Sequence, residues 1–235
     1  MPPAVPPAPS FSQRGFTLTE LAVVLVIVAL LIGGMLIPLS AQQEIRARAD
    51  SERILSNIRE ALIGFAAANG RLPRPATSAA DGTENAATCA TEAACSGFVP
   101  WVTLGTEKLD GWEKIIRYSV TPAYANGPIT LASVSNRTVQ TRDGVGAAID
   151  LAVQVPAVIF SQGKDRWGTT DSGTVLADGS ATNLDEDANN AGPTSYFSRQ
   201  PSDNPATAGG EFDDIVTWIS PNILFNRLIS AGRLP

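Results

Sequence analysis

The chain has 235 residues, a formal net charge of −6 and no histidine. Without histidine, a Ser-His-Asp or Cys-His catalytic arrangement and a histidine zinc site are excluded, which weakens every hydrolase hypothesis. The acidic balance argues against a nucleic-acid surface, because phosphate contacts need clustered Lys and Arg. We therefore expect neither an enzyme nor a nucleic-acid binder.

The first predicted element is an apolar helix near the N-terminus. Residues 21–43 contain no charged side chain, and roughly 20 apolar residues are enough to cross the ~30 Å hydrocarbon core of a bilayer. Glu20 lies at the edge of this run, where a carboxylate costs on the order of 3 kcal/mol or less in lipid, so it needs a partner. We predict a leader peptide at 1–15, a transmembrane helix at 16–43 and one head domain at 44–235.

The residues ahead of this helix carry a family resemblance. Positions 15–20 read Gly-Phe-Thr-Leu-Thr-Glu, and with the apolar run they resemble the class III signal of type IV pilins and type II secretion pseudopilins. This resemblance implies that a prepilin peptidase cuts between Gly15 and Phe16 and that the new amino group of Phe16 is then methylated. It also implies that Glu20 pairs with the amino group of Phe16 on a neighbouring subunit as helix 16–43 enters a filament core.

Two other interpretations of this N-terminal region stay open. One is an ordinary secretory signal peptide cut after Ala41, although its apolar region would exceed the usual ~7 to 15 residues and would begin with an acid. The other is a membrane anchor that is not processed. Neither explains why Gly, Phe, Thr and Glu occur in this order.

The helical pattern continues beyond the apolar run into a charged, amphipathic segment. Apolar residues recur there at helical spacing and form one stripe, namely Leu55, Ile58, Leu62 and Phe65. Asn69-Gly70 is a typical C-terminal signal, and Pro73 follows it. We predict one long helix over 16–69, with weak points at Gly33, Gly34 and Pro38.

The two cysteines, Cys89 and Cys95, lie close together in the polar stretch 81–97. An exported head lies in an oxidising compartment, which favours a disulfide between them. The spacing is not Cys-x-x-Cys, so a redox motif is disfavoured. We predict a disulfide that shapes a surface loop and contributes about 2 to 3 kcal/mol.

The next segments have the composition of strands. Four short stretches rich in β-branched residues are separated by turn signals, at 115–121, 129–134, 149–155 and 158–161. An antiparallel sheet would bury one face against the apolar stripe of the long helix. The predicted fold class is therefore α+β, with a long N-terminal helix packed on an antiparallel β-sheet head in two layers.

Residues 170–211 differ from the rest of the chain in composition. Gly, Asn, Ser, Thr, Ala and Pro dominate, and the acids far outnumber the bases. We predict a long, partly mobile acidic loop that offers a surface to partners, with Tyr196 and Phe197 anchoring its middle. The acidic run 185–187 is interpreted as a solvated charge cluster in preference to a calcium site.

A second resemblance concerns two segments that flank this loop. Segments 161–165 and 212–218 resemble those that bracket the calcium loop of major pseudopilins in type II secretion. The resemblance implies Asp165, Asp213 and Asp214 as carboxylate ligands, with backbone carbonyls completing the ~6 to 8 oxygens that calcium prefers. An alternative is that the last two acids cap a turn before a final strand.

The C-terminus carries clear signals for a short helix. Ser220 is a typical N-cap, Pro221 suits the first helical position and Gly232 suits the stop. Two i, i+4 apolar pairs, Leu224 with Leu228 and Phe225 with Ile229, predict that this helix docks on the head.

Together these features predict a pilin-like structural subunit of a filament, either a type II secretion pseudopilin or a minor type IV pilin. The resemblance implies four partners: other pilin-like subunits, a prepilin peptidase and methyltransferase, an inner-membrane assembly platform, and membrane lipid before assembly. The expected location is the inner membrane, with a single pass and the head in the periplasm or on a surface filament. The rival from another class is a membrane-tethered periplasmic binding protein that does not polymerise.

Overall fold

The computed structural model describes residues 15–165, 167–192 and 194–234, without the side chains of 33–39. The predicted leader therefore lies outside the described residues except for Gly15. The chain forms two compact units, Met1–Gln43 and Glu44–Pro235, and the second is the head described below.

The elements follow one another in this order. The helices and strands are α1 (Leu18–Asn69), β1 (Ser96–Phe98), α2 (Trp101–Leu104), β2 (Arg117–Val120), α3 (Pro122–Ala125), β3 (Thr138–Arg142), β4 (Ala148–Val153), β5 (Ala157–Ser161), β6 (Gly168–Thr169), β7 (Val175–Leu176), α4 (Leu184–Ala191), β8 (Ser195–Phe197), β9 (Ile215–Trp218) and α5 (Pro221–Ser230).

Helix α1 matches the predicted long helix but begins two positions later, at Leu18. It ends before Gly70, whose φ of 73° is a left-handed conformation that glycine adopts without strain. Over the residues whose structure is described, no helix combines the length and the apolar character that a membrane crossing requires. The predicted weak points at Gly33, Gly34 and Pro38 lie where side chains are not described.

The main sheet of the head has the strand order β1-β2-β5-β9, and all its pairings are antiparallel. One face packs on the second half of α1, where Leu55, Ile58 and Leu62 are at most 1% exposed. The predicted apolar stripe is thereby confirmed for these three residues, whereas Phe65 is only partly buried and lies against Arg71. Helix α5 joins the same core through Leu224 and Leu228, which are both fully buried, as its i, i+4 spacing predicts.

The other face of the main sheet is also covered, which the two-layer prediction missed. A second sheet with the order β4-β3-β8 encloses a core that contains Val139, Phe160 and Tyr196. Its β3 and β8 pair in parallel. Every residue of β5 is buried, which is typical of a strand covered on both faces. The head therefore has three layers instead of two.

Two further predictions are wrong. Residues 129–134 do not form a strand, because Ser133 Oγ accepts from the Thr130 amide at 3.0 Å and the backbone turns there. Residues 170–211 are not a loop without regular structure, because they contain β7, α4 and β8. Tyr196 and Phe197 do anchor this segment, at 1% and 8% exposed.

Candidate functional site

The predicted cleavage junction is exposed. Gly15 lies outside α1, and a side chain at this position would meet no other atom within 4 Å. Phe16 is 88% exposed. The backbone between these two residues is thus open to an approaching protease.

Glu20 has a partner within its own chain, which the sequence reasoning missed. Its Oε2 accepts from the Thr17 amide and from Thr17 Oγ1, both at 2.8 Å. In return, the Glu20 amide donates to Thr17 Oγ1 at 3.3 Å. This is a capping box, which satisfies two backbone donors at the start of α1. The signal was present in the sequence as Thr-x-x-Glu immediately before an apolar run.

Three carboxylates converge in the head. One carboxylate oxygen each from Asp165, Glu186 and Asp213 lies within 4.8 Å of the others. The predicted ligands Asp165 and Asp213 are thus brought together, but Asp214 is not part of the group. Asp214 Oδ2 instead accepts from Asn189 Nδ2 at 2.7 Å in the interior.

Glu186 replaces Asp214 in this group and contradicts the solvated interpretation of the acidic run. It lies in the first turn of α4 and is 3% exposed. Its Oε1 accepts from the Asp213 amide at 2.6 Å, which holds α4 against the segment before β9. No local pattern reveals this contact, because α4 reaches it through the parallel pairing of β8 with β3.

Hydrogen bonds hold the acidic group in place but leave one oxygen unsatisfied. Asp213 Oδ2 accepts from the amides of Lys164 and Asp165, both at 2.9 Å. Asp213 Oδ1 is buried and has no hydrogen-bond partner among the residues that the structure describes. A buried unpaired carboxylate oxygen is costly, and a bound cation is one way to compensate it.

The electrostatics of the group indicate a deficit of positive charge. Burial, with smaller contributions from the neighbouring Asp213 and Asp165, raises the pKa of Glu186 to about 8. Burial also raises the pKa of Asp213 to about 6, with Asp165 as the next contributor. Among the described residues, Lys114 Nζ lies 3.6 Å from Asp165 Oδ1.

The group lines a cavity of about 370 Å³. Asp203 and Glu211 add two more acids to its wall, and Lys164 adds one base. Oxygen-rich, acidic surroundings with an unsatisfied carboxylate suit a hard divalent cation such as Ca²⁺. The residues present therefore fit the predicted metal, with Glu186 in place of Asp214.

The predicted disulfide is present, but its two cysteines are at most 3% exposed and belong to the main core, so the prediction that it shapes only a surface loop is wrong. Cys89 and Cys95 are bonded, with their Cα atoms 5.1 Å apart. The loop between them is tied to the head, because the fully buried Arg137 donates to Glu92. Asn126 holds the loop from the other side through hydrogen bonds with Cys89, including one from Asn126 Nδ2 to the Cys89 carbonyl at 2.8 Å.

Comparison with known proteins gives one match. Residues 10–36 match the family described as the prokaryotic N-terminal methylation motif. No curated protein and no solved structure matches the chain. The chain thus carries a class III prepilin-like signal, which indicates a type IV pilin-like or pseudopilin-type protein. The match ends before the head begins.

Proposed function

We propose that this protein is a structural subunit of a pilin-like filament and has no catalytic activity of its own. The observation that carries the proposal is the methylation-motif match across an exposed Gly15–Phe16 junction. The motif implies processing by a prepilin peptidase and assembly with other pilin-like subunits. A type II secretion pseudopilin and a minor type IV pilin remain the two forms of the proposal.

The proposed life cycle begins in the inner membrane. The segment at 16–43 anchors the precursor in lipid, and the head lies in the periplasm. Cleavage after Gly15 exposes the amine of Phe16, which is then methylated. An inner-membrane platform moves the subunit into the filament, where apolar N-terminal helices bundle.

Glu20 would have two tasks in this scheme. Cleavage leaves Thr17 as the second residue of the mature chain, so the capping box survives processing. The same carboxylate can then compensate the amine of Phe16 on a neighbouring subunit, a pair that is strongly coupled once it is desolvated. The cap needs only a hydrogen-bond acceptor, whereas the pair needs a charge.

This difference gives a test with a matched control. Glu20→Gln keeps a capping-box residue but removes the charge, so we expect normal processing and a large loss of filament incorporation. Thr17→Ala removes the cap at a cost of about 1 kcal/mol and keeps the charge, so incorporation should largely persist. Cell fractionation and mass spectrometry of the N-terminal peptide measure both properties.

Normal incorporation of Glu20→Gln would contradict the assembly role of the carboxylate. A peptide that begins at Met1 on a monomeric membrane protein would instead support the tethered binding protein. A peptide that begins at methylated Phe16, recovered with other pilin-like subunits, would support the filament.

We also infer that Asp165, Glu186 and Asp213 bind a divalent cation, most simply Ca²⁺. The unsatisfied Asp213 Oδ1 and the acidic wall of the cavity support this assignment. Glu186 belongs to α4, and the two aspartates lie on the segments that follow β5 and precede β9. A cation bound there would tie these parts of the head together.

A further inference from the structure

Besides the acidic group, the head contains an arginine, Arg117, that forms no ion pair among the described residues. It lies on the opposite side of the main sheet from α1. Successive side chains of β2 point to opposite faces of the sheet, and those of Tyr118 and Val120 point into the core against α1. Those of Arg117 and Ser119 therefore point to the face that carries the second sheet and the end of α4. An arginine at such a position needs compensation.

Arg117 has no compensating group in the described part of the chain. Its Nε is buried without a hydrogen-bond partner. Among the described residues, its side chain forms no ion pair, and it stacks on the Phe98 ring, with Cζ 5.3 Å from the centroid. Burial lowers the pKa of Arg117, which reflects the cost of its uncompensated charge.

The nearby Arg137 shows how the chain satisfies an arginine whose role is internal. Arg137 is fully buried, and it donates to Glu92, to Thr121 Oγ1 at 2.6 Å and to Ser119 Oγ at 3.0 Å. The protein therefore supplies acceptors where it buries a guanidinium for stability. Among the described residues, it supplies no acceptor to the Nε of Arg117, a residue that is partly buried.

Arg117 lines a cavity of about 170 Å³ whose wall is rich in polar groups, among them Ser96, Ser119, Asn190 and Tyr196. Asn190 Oδ1 accepts from Gln162 Nε2 at 3.3 Å, so its amino group remains as a donor. A liquid water occupies about 30 Å³, so the cavity has room for a carboxylate group together with water.

We propose that this cavity binds a carboxylate, which pairs with the Arg117 guanidinium and accepts a hydrogen bond from the amino group of Asn190. A single unbalanced cation matches a monoanion. The planar fork of a guanidinium suits the two oxygens of a carboxylate. The proposal does not depend on filament assembly, since all its residues belong to the head.

The test uses the full-length chain, labelled with ¹⁵N and purified in a non-ionic detergent. Sodium acetate is titrated at constant ionic strength against sodium chloride, and the Nε–Hε resonances of the arginines are followed. We expect a saturable shift of Arg117 with acetate. Arg71 is the internal control, because it also stacks on a ring, that of Phe65 at 5.5 Å, but is already paired with Glu84.

Two variants strengthen the test. For the arginine variants, acetate binding is followed through the side-chain amide resonances of Asn190, which lines the same cavity. Arg117→Met should weaken acetate binding about tenfold or more, whereas Arg71→Met should leave it unchanged. Asn190→Asp keeps the arginine and places a carboxylate in the cavity wall. It should raise the melting temperature and abolish acetate binding, so the proposal remains testable if Arg117→Met does not fold.

Two further probes identify the source of the carboxylate. If Ala-Ala-Ala with a free C-terminus binds and its C-terminal amide does not, the site accepts a carboxylate presented by a polypeptide. If acetate binds and neither peptide does, it accepts a small free acid. The absence of any saturable shift of Arg117 with acetate, or an equal shift of Arg71, would overturn the proposal.

Discussion

Two buried acids on different sides of α4 differ in their ion pairing. Asp185 and Glu186 are consecutive, and both are at most 3% exposed. Asp185 accepts from Arg142 Nη2 at 2.5 Å and from Arg199 Nε at 2.7 Å. Among the described residues, Glu186 forms no ion pair and accepts from neutral donors, the Asn183 side chain and the Asp213 amide. One side is internally neutralised, and the other is not.

This difference separates a structural charge from a binding charge. Burial is common to both acids, so burial does not identify a site. What distinguishes Glu186 is that it forms no ion pair among the described residues and lines a cavity. The Arg117 cavity, which the C-terminal end of α4 helps to line, shows the same deficiency with the opposite sign. We therefore expect substitution of the paired acid, Asp185, to lower the stability of the head strongly. We expect the side with the unpaired Glu186 to change its stability when ligands bind.

The largest effect should come from the paired side. Asp185→Asn leaves Arg142 and Arg199 close together without their shared carboxylate, and the Arg199 side chain is only 8% exposed. We expect a loss of about 3 to 5 kcal/mol in the free energy of unfolding, because an uncompensated buried charge remains. Urea denaturation of the full-length chain measures it. A loss below about 1 kcal/mol would mean that the two arginines find other acceptors.

Calcium should give the next largest effect, on the unpaired side. A cation that binds only the folded head at about one hundred times its Kd stabilises it by about 2.7 kcal/mol. We expect this gain in the wild type and its loss in Asp213→Asn, which alters the group with the unsatisfied oxygen. Asp203→Asn is the matched control, because this acid lines the same cavity but its side chain is 82% exposed. Equal stabilisation of Asp213→Asn would contradict the proposed site.

The calcium-free protein should also lose stability as the pH rises. The pKa of Glu186, about 8, lies above its ordinary value of 4.5, so the folded state favours the protonated acid. That contribution is fully present below pH 4.5 and is lost as the pH rises through 8. We expect a decrease on the order of 2 kcal/mol in the free energy of unfolding between pH 5 and pH 8.

Two measurements separate this effect from other titrations. Glu186→Gln should reduce the pH dependence to the contribution of Asp213 and Asp214, whose pKa values burial also raises. Saturating calcium should remove the decrease in the wild type, since a bound cation favours the ionised carboxylates. A wild-type stability that rises over this range in the absence of calcium would show that Glu186 is not the controlling group.

The contrast between the two sides of α4 also shows what the sequence could reveal. Features with local signals were predicted, such as the apolar stripe of α1, the docking of α5 and the disulfide. The capping box of Thr17 and Glu20 was equally local and could have been found from Thr-x-x-Glu.

The rest depends on contacts between distant parts of the chain. The second sheet forms because β3 pairs with β8, which follows it only after β4 to β7 and α4, with Thr138 opposite Ser195. This pairing brings α4 to the acidic cavity. The polar composition of 170–211 predicted a loop instead. Its few apolar residues, such as Tyr196, gave no local signal because they are buried against a distant part of the chain. The choice of Asp214 over Glu186 failed for the same reason.

The smallest effect should come from Asp187, the third acid of the run, which is partly exposed. It lies in the first turn of α4, where a negative charge is favoured by the helix dipole. Burial and the nearby Asp178 nevertheless raise its pKa, so the two influences oppose each other. We expect Asp187→Asn to change the free energy of unfolding by no more than about 0.5 kcal/mol. Urea denaturation of this variant and of Asp185→Asn compares two acids that lie two positions apart. Similar losses in the free energy of unfolding would mean that the pairing with two arginines is not what distinguishes Asp185.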